Sequence, residues 1–303
     1  MPSGHQALRA HAPTAADALD AVVASLWSVA AGRGLVDVVA AAAGRNGALL
    51  GLEALVPPAH LPSDASPVGP VVAGDDPAVL VFAEQCTIDV ASVTPAQRAD
   101  FLAAAGPHAG DLAAALWVVD VVPRARAALD ALAGEGPWPT TPAPAGPPDL
   151  WGALDGLIRT VPALEALDPV TSELVRLRGA RQHRCRLCMS IRSRPALLAG
   201  ADDDAFAAVD DHAGSDLSPL ARAALAFTDG MLWTPGRLDP AVVDGMVREA
   251  SPAQQVELVL DVTRNALNKI AVALGADAAH VEDGVEIYDV EPDGSLVYGL
   301  ALD

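Results

Sequence analysis

From position 251 onward, apolar residues recur at steps of four and three. Val256, Leu260, Thr263, Leu267, Ile270 and Leu274 fall on one helix face. Val259, Val262 and Ala266 form a second stripe, so the pattern predicts a helix over 251–274 that is buried on two sides. It opens at Ser251-Pro252-Ala253-Gln254, a capping box with proline at the first helical position, where a missing N–H costs nothing. Asp168-Pro169 is a second start of the same kind and predicts a helix over 170–182. The tail reads differently. Segments 285–288 and 295–300 flank Pro292-Asp293-Gly294, a turn signal, and predict a small hairpin appended to a helical body. The predicted fold class is all-α with a small C-terminal β-hairpin extension.

Between the two halves lies GEGPWPTTPAPAGPP, residues 134–148. Its prolines lack backbone donors and hold the chain extended, which predicts a linker over 134–150 between domains 1–133 and 151–303. An internal repeat runs faintly across it. At an offset of 145, Phe82 matches Phe227, Pro95 matches Pro240, Pro107 matches Pro252, Arg124 matches Lys269 and Leu129 matches Leu274. This register predicts a tandem duplication.

Composition narrows the function classes. Hydrophobic residues make up 51% of the 303 and aromatics 4%, a helical composition with ample apolar surface for a core. Against 39 acidic residues stand 19 basic ones, a net charge of −20 that repels phosphates and anionic membranes. No nucleic-acid partner and no membrane partner are expected. The longest uncharged apolar stretch, 21–32, falls short of the roughly 20 residues a membrane-spanning helix needs. Arg9, Asp17 and Asp20 precede that run, the wrong order for a secretory signal, and three cysteines do not make a disulfide scaffold. A cytoplasmic location is expected.

The most informative stretch is Glu173-Leu-Val-Arg-Leu-Arg-Gly-Ala-Arg-Gln-His-Arg-Cys185-Arg-Leu-Cys188-Met-Ser-Ile-Arg192. Residues three apart share a helix face, so the two sulfurs of Cys185-x-x-Cys188 can meet. Zinc would need two more ligands, and there is no second Cys-x-x-Cys to supply them; no metal or cofactor is expected. A redox dithiol needs only the pair and something that stabilises a thiolate. Arg176, Arg178, Arg181, Arg184, Arg186, Arg192 and Arg194 supply seven of the 19 basic residues in the same neighbourhood. Most of them are expected to pair with carboxylates, while one beside a thiol would lower its pKa. His183 is expected to face solvent, as helix-end histidines flanked by arginines do. Asn265 and Asn268 are expected to hydrogen-bond across a helix interface, and Asp202–Asp204 and Asp210-Asp211 to cap helices and face solvent. Cys86 is read as a small buried hydrophobe.

Residues 168–276, about a third of the chain, resemble the alkylhydroperoxidase D (AhpD)-like branch of the carboxymuconolactone decarboxylase family. The resemblance is carried by Glu173-Leu-Val-Arg-Leu-Arg, by Cys185-x-x-Cys188, by Pro195-Ala-Leu-Leu-Ala-Gly200, by Leu220-Ala-Arg-Ala-Ala-Leu-Ala-Phe227 and by the helix from Ser251. It implies an all-helical homo-oligomer whose dithiol reduces a small-molecule peroxide and is restored by a thiol reductant. Cys188 would attack, Cys185 would resolve the sulfenic acid, and Glu173 would belong to the proton relay. The family has a histidine four positions after the second cysteine, where this chain has Arg192; some members have another between the cysteines, where this chain has Leu187. Arg192, one helical turn beyond Cys188, would hold the thiolate but cannot shuttle protons at neutral pH, so slow turnover is expected. In the 145 register Glu173, Cys185, Cys188 and Arg192 fall on Ser28, Ala40, Ala43 and Gly47, which makes the N-terminal half a degenerate copy. Two rivals remain: a decarboxylase acting on a small carboxylated lactone bound by the arginines, and a non-catalytic helical assembly protein.

Overall fold

The computed structural model describes residues 2–59, 61, 72–139 and 148–302. Its N-terminal half carries α1 (Gly4–His11), α2 (Pro13–Arg33), α3 (Val36–Leu50), α4 (Pro77–Asp89), α5 (Pro95–Ala105) and α6 (Ala109–Ala133). After the segment 140–147, which lies outside the described residues, come α7 (Leu150–Thr160), α8 (Pro169–Gln182), α9 (Arg186–Met189), β1 (Ile191–Ser193), α10 (Arg194–Leu198) and α11 (Asp203–Ala208). The chain continues through α12 (Pro219–Trp233), α13 (Pro240–Glu249), α14 (Pro252–Asn265), α15 (Asn268–Leu274), β2 (Glu286–Val290) and β3 (Leu296–Tyr298). The protein is all-α with a small C-terminal extension of strand.

Many of its prolines serve as helix starts. Pro77, Pro95, Pro169, Pro219, Pro240 and Pro252 each open a helix behind an Asp, Ser or Thr cap whose side chain accepts a backbone N–H. Proline fills the position that has no intrahelical donor to lose, and the cap satisfies a donor that would otherwise be orphaned. The elements around the matched prolines run in one order in both halves: α4, α5, α6 and α12, α13, α14.

The helix expected over 251–274 is interrupted. It ends at Asn265 and restarts as α15 at Asn268, with Leu267, Lys269 and Ile270 each bonding three residues back. The carbonyl of Ala266 also accepts the Trp117 indole N–H of α6 at 2.9 Å, a tertiary partner that no local pattern announces. Past this break the buried face passes to Lys269, Val272 and Ala273, and Ile270 and Leu274 are only half-buried.

One hydrophobic cluster runs through both halves, from Leu26, Trp27 and Leu112 to Leu174, Phe227 and Leu260. Helix α6 is its axis, packing on α1, α2 and α3 and also on α12, α13 and α14. Helix α2 is long and apolar enough to cross a membrane by length and composition, more than the 21–32 stretch alone suggested. Most of it is nevertheless buried against α6 and α7, and Asp17 and Asp20 near its start both pair with Arg9.

The C-terminal hairpin forms where the turn signal placed it, with Tyr288 paired to Tyr298 across an antiparallel β2–β3. Gly294 takes φ +80° in the turn, and a Cβ there would lie 2.4 Å from the Arg159 carbonyl oxygen, so only glycine fits. The hairpin is more than an appendage. Strand β2 also pairs in parallel with β1, Ile191 opposite Glu286, and β1 follows directly on the cysteine pair.

Candidate functional site

Helix α8 ends at Gln182, and Arg184 then takes φ +51°, an uncommon conformation for a side-chain-bearing residue. This reversal turns Cys185 inward. Its N–H bonds the Ala180 carbonyl and its carbonyl accepts the Met189 N–H, so the residue is tied at both ends and fully buried. Cys185 caps α9, with its sulfur accepting the Cys188 N–H at 3.2 Å. The two cysteines form a disulfide across this turn, their Cα atoms 5.3 Å apart. Cys188, half-buried, is the more accessible of the two.

Glu173 and Arg176 lie one turn apart on α8, both buried, and form a bidentate pair at 2.6 and 2.7 Å. Arg176 then reaches the cysteine turn, donating to the Cys188 carbonyl at 2.7 Å and the Ile191 carbonyl at 3.0 Å. Glu173 accepts the Ser193 N–H and the Tyr288 hydroxyl, both at 3.2 Å. The guanidinium of Arg176 stacks 5.5 Å from the centre of the Tyr288 ring. Burial lowers the Arg176 pKa and the Glu173 charge raises it; the carboxylate wins, and the guanidinium pKa lies above its ordinary value. Burial, and then the Glu173 charge, raises that of Tyr288.

Glu173 thus stands on the helix preceding the cysteines, as expected, and reaches them through Arg176 rather than by touching sulfur. Arg192 departs from expectation. The helix stops at Met189, so Arg192 lies on β1, not one helical turn beyond Cys188. Its guanidinium donates to the Met189 and Ile191 carbonyls at 2.9 and 2.7 Å and lies over the Phe206 ring at 5.0 Å. Burial, then repulsion from Arg176, lowers its pKa. Of the other arginines, Arg178 pairs with Asp229, Arg181 with Asp210, Arg186 with Asp277 and Arg194 with Asp289. Asp202 caps α11.

His183 is the second correction. It is buried, its Nδ1 lies 2.7 Å from Asn268 Oδ1, and its pKa is pushed down to about 3, by burial first and the nearby Lys269 charge second. It borders a cavity of about 10 Å³ with Cys86, Thr87, Trp233 and Lys269, room for one water at most. Burial pushes the half-buried Cys86 thiol up to about 12, which fits its reading as a small apolar side chain. Among the described residues no group of three or more His, Cys, Asp or Glu side chains could hold a metal ion.

Sequence reasoning missed the contacts of the tail with the cysteine turn. The Asp277 carboxylate accepts both the N–H and the guanidinium of Arg186, and its carbonyl accepts the Leu187 N–H. Ser190 accepts the His280 N–H on its hydroxyl and the Glu286 N–H on its carbonyl. Tyr288 stands 115 residues from Glu173, and no local signal connects them.

Fold and site define an all-α protein with a Cys-x-x-Cys disulfide set between an arginine–glutamate pair and a C-terminal hairpin. The chain is 42% identical over 228 residues to the uncharacterized protein Rv2313c of Mycobacterium tuberculosis strain H37Rv, a match covering 73% of this chain and 80% of the relative. The protein MT2376 of strain CDC 1551 matches to the same extent. The chain belongs to the family of these mycobacterial proteins. No protein-family model matches the chain. No solved structure matches it.

Proposed function

We propose that Cys185 and Cys188 are a redox-active dithiol that reduces peroxides, as the resemblance to the AhpD-like branch implies. The observation that carries this reading is the pair itself: an accessible Cys188 bonded within one turn to a buried Cys185 whose backbone is held at both ends. The Cys188 thiolate attacks the peroxide, the O–O bond breaks, and the alkoxide leaves as an alcohol by taking a proton from water. The resulting sulfenic acid is attacked by Cys185; the S–S bond forms and hydroxide departs with the Cys185 proton as water. The peroxide gains the two electrons the thiols lose, and an external dithiol reductant returns them. Glu173 is committed to Arg176, and His183 is neutral and buried, so neither is free to protonate the leaving oxygen. Turnover is therefore slow.

Peroxide consumption with a dithiol reductant, measured on wild type and Cys188→Ser, tests this. Activity in the wild type that the variant lacks is expected; equal rates in both would overturn the reading. The decarboxylase rival needs arginines free for an anion, and six of the seven near the cysteines are already engaged by carboxylates or carbonyls. We further propose that the N-terminal half is a degenerate copy supplying packing surface, that the chain works in the cytoplasm, where a dithiol is kept reducible, and that it assembles with copies of itself. Exposed Trp151 and Trp233 are candidate contacts for that assembly.

A further inference from the structure

The hairpin does more at the cysteine turn than cover it. An apolar side chain would bury the Glu173–Arg176 pair equally well, yet Tyr288 addresses both members. Its hydroxyl donates to Glu173 Oε2, and its ring takes the face of the Arg176 guanidinium. Arg176 in turn holds the Cys188 carbonyl. Other charged side chains around the turn have partners of their own, Arg186 with Asp277 and Arg194 with Asp289. Arg192 donates from Nη1 to the Met189 and Ile191 carbonyls. The Arg176–Glu173 pair bonds Cys188 itself, through its carbonyl, and Tyr288 bears on both members of the pair.

We propose that the C-terminal hairpin is part of the thiol site, with Tyr288 a positioning residue that acts on Cys188 through Glu173 and Arg176. This rests on the dithiol reading. Tyr288 draws Glu173 charge onto its hydroxyl and leaves more of the Arg176 charge to favour a thiolate at Cys188. Two substitutions then act in opposite directions. Tyr288→Phe keeps the ring and removes the donor, so the Cys188 pKa rises. Glu173→Gln removes the opposing carboxylate, so it falls by about one unit. A residue that only supported the fold would lower the melting temperature and leave the thiol unmoved.

The test is the pH dependence of iodoacetamide alkylation of Cys188, in a Cys185→Ser background of the full chain. Opposite shifts from the two substitutions are expected; no shift, or shifts of one sign, would overturn the proposal. If Glu173→Gln does not fold, Glu173→Gln/Arg176→Gln replaces the pair with neutral amides. Adding Tyr288→Phe to that background should then change nothing, and a persisting effect overturns the route through Glu173. A wild-type protein that forms no reversible Cys185–Cys188 disulfide would instead sink the dithiol reading itself. A reversible disulfide with unmoved variants sinks the role of Tyr288 alone.

Discussion

Two side chains carried into the core, His183 and Asp261, respond to pH with opposite sign. His183 has its pKa pushed from 6.5 down to about 3 by burial and by Lys269. The stability it contributes is therefore complete above pH 6.5 and is lost as pH falls toward 3. Asp261 on α14 is buried one turn from Glu257, and burial and that like charge push it from 3.8 up to about 7. Its contribution is complete below pH 3.8 and is lost as pH rises through 7. Between about pH 4 and 6.5 each group alone would change stability by about 1.4 kcal/mol per pH unit, with opposite sign. Denaturant midpoints across this range should therefore fall more on acidification in Asp261→Asn than in wild type, because the slope of Asp261 is gone; parallel profiles would refute the assignment to Asp261. Neither behaviour was legible in the sequence. The arginines flanking His183 suggest solvent, and only the reversal at Arg184 shows that the chain turns and leaves the imidazole inside. The cysteine pair was legible because its chemistry needs only a spacing of three.

At the scale of elements, caps and stripes were readable because they are local: Asp168, Ser251 and Pro292-Asp293-Gly294 act within one turn of chain. What could not be read was set by distant partners, as at the break after Asn265, where Trp117 takes a carbonyl, and at α9. A four-residue helix is far too short to hold itself together. Its start is fixed by Asp277, which accepts the first N–H and pairs with the Arg186 side chain. That hydrogen bond also holds the Asp277 pKa below its ordinary value. Asp277→Ala removes this anchor and should cost about 0.5–2 kcal/mol, the range for losing a side chain that accepts a first-turn N–H. The loss should concentrate at the cysteine turn. Cys185, sealed in wild type, should become alkylatable after reduction while the far-ultraviolet circular dichroism stays unchanged. Continued protection of Cys185 would mean that the tail does not hold the turn.

On the scale of the whole molecule, the question is whether the halves on either side of the Pro-rich segment unfold separately. A linker sequence argues for independence, but the interior argues otherwise. Asp120 on α6 receives Arg124 from its own helix and Lys269 from α15, and all three are buried. Arg124 and Lys269, which occupy matching positions of the 145 register, thus meet at one shared carboxylate. Arg124 also donates to the carbonyls of Leu232 on α12 and Thr87 on α4, tying both halves to one guanidinium. Ion pairs this deep contribute little net stability when intact, because desolvation offsets attraction, but breaking one leaves an uncompensated charge. Asp120→Asn should therefore cost about 3–5 kcal/mol. Asp120→Asn/Lys269→Met, which removes the stranded cation as well, should recover part of that loss. Calorimetry should show one transition in wild type and in both variants, moving as a unit, since a single core spans the chain. A variant that splits into two transitions, one left at the wild-type temperature, would show that the halves fold independently despite this shared cluster.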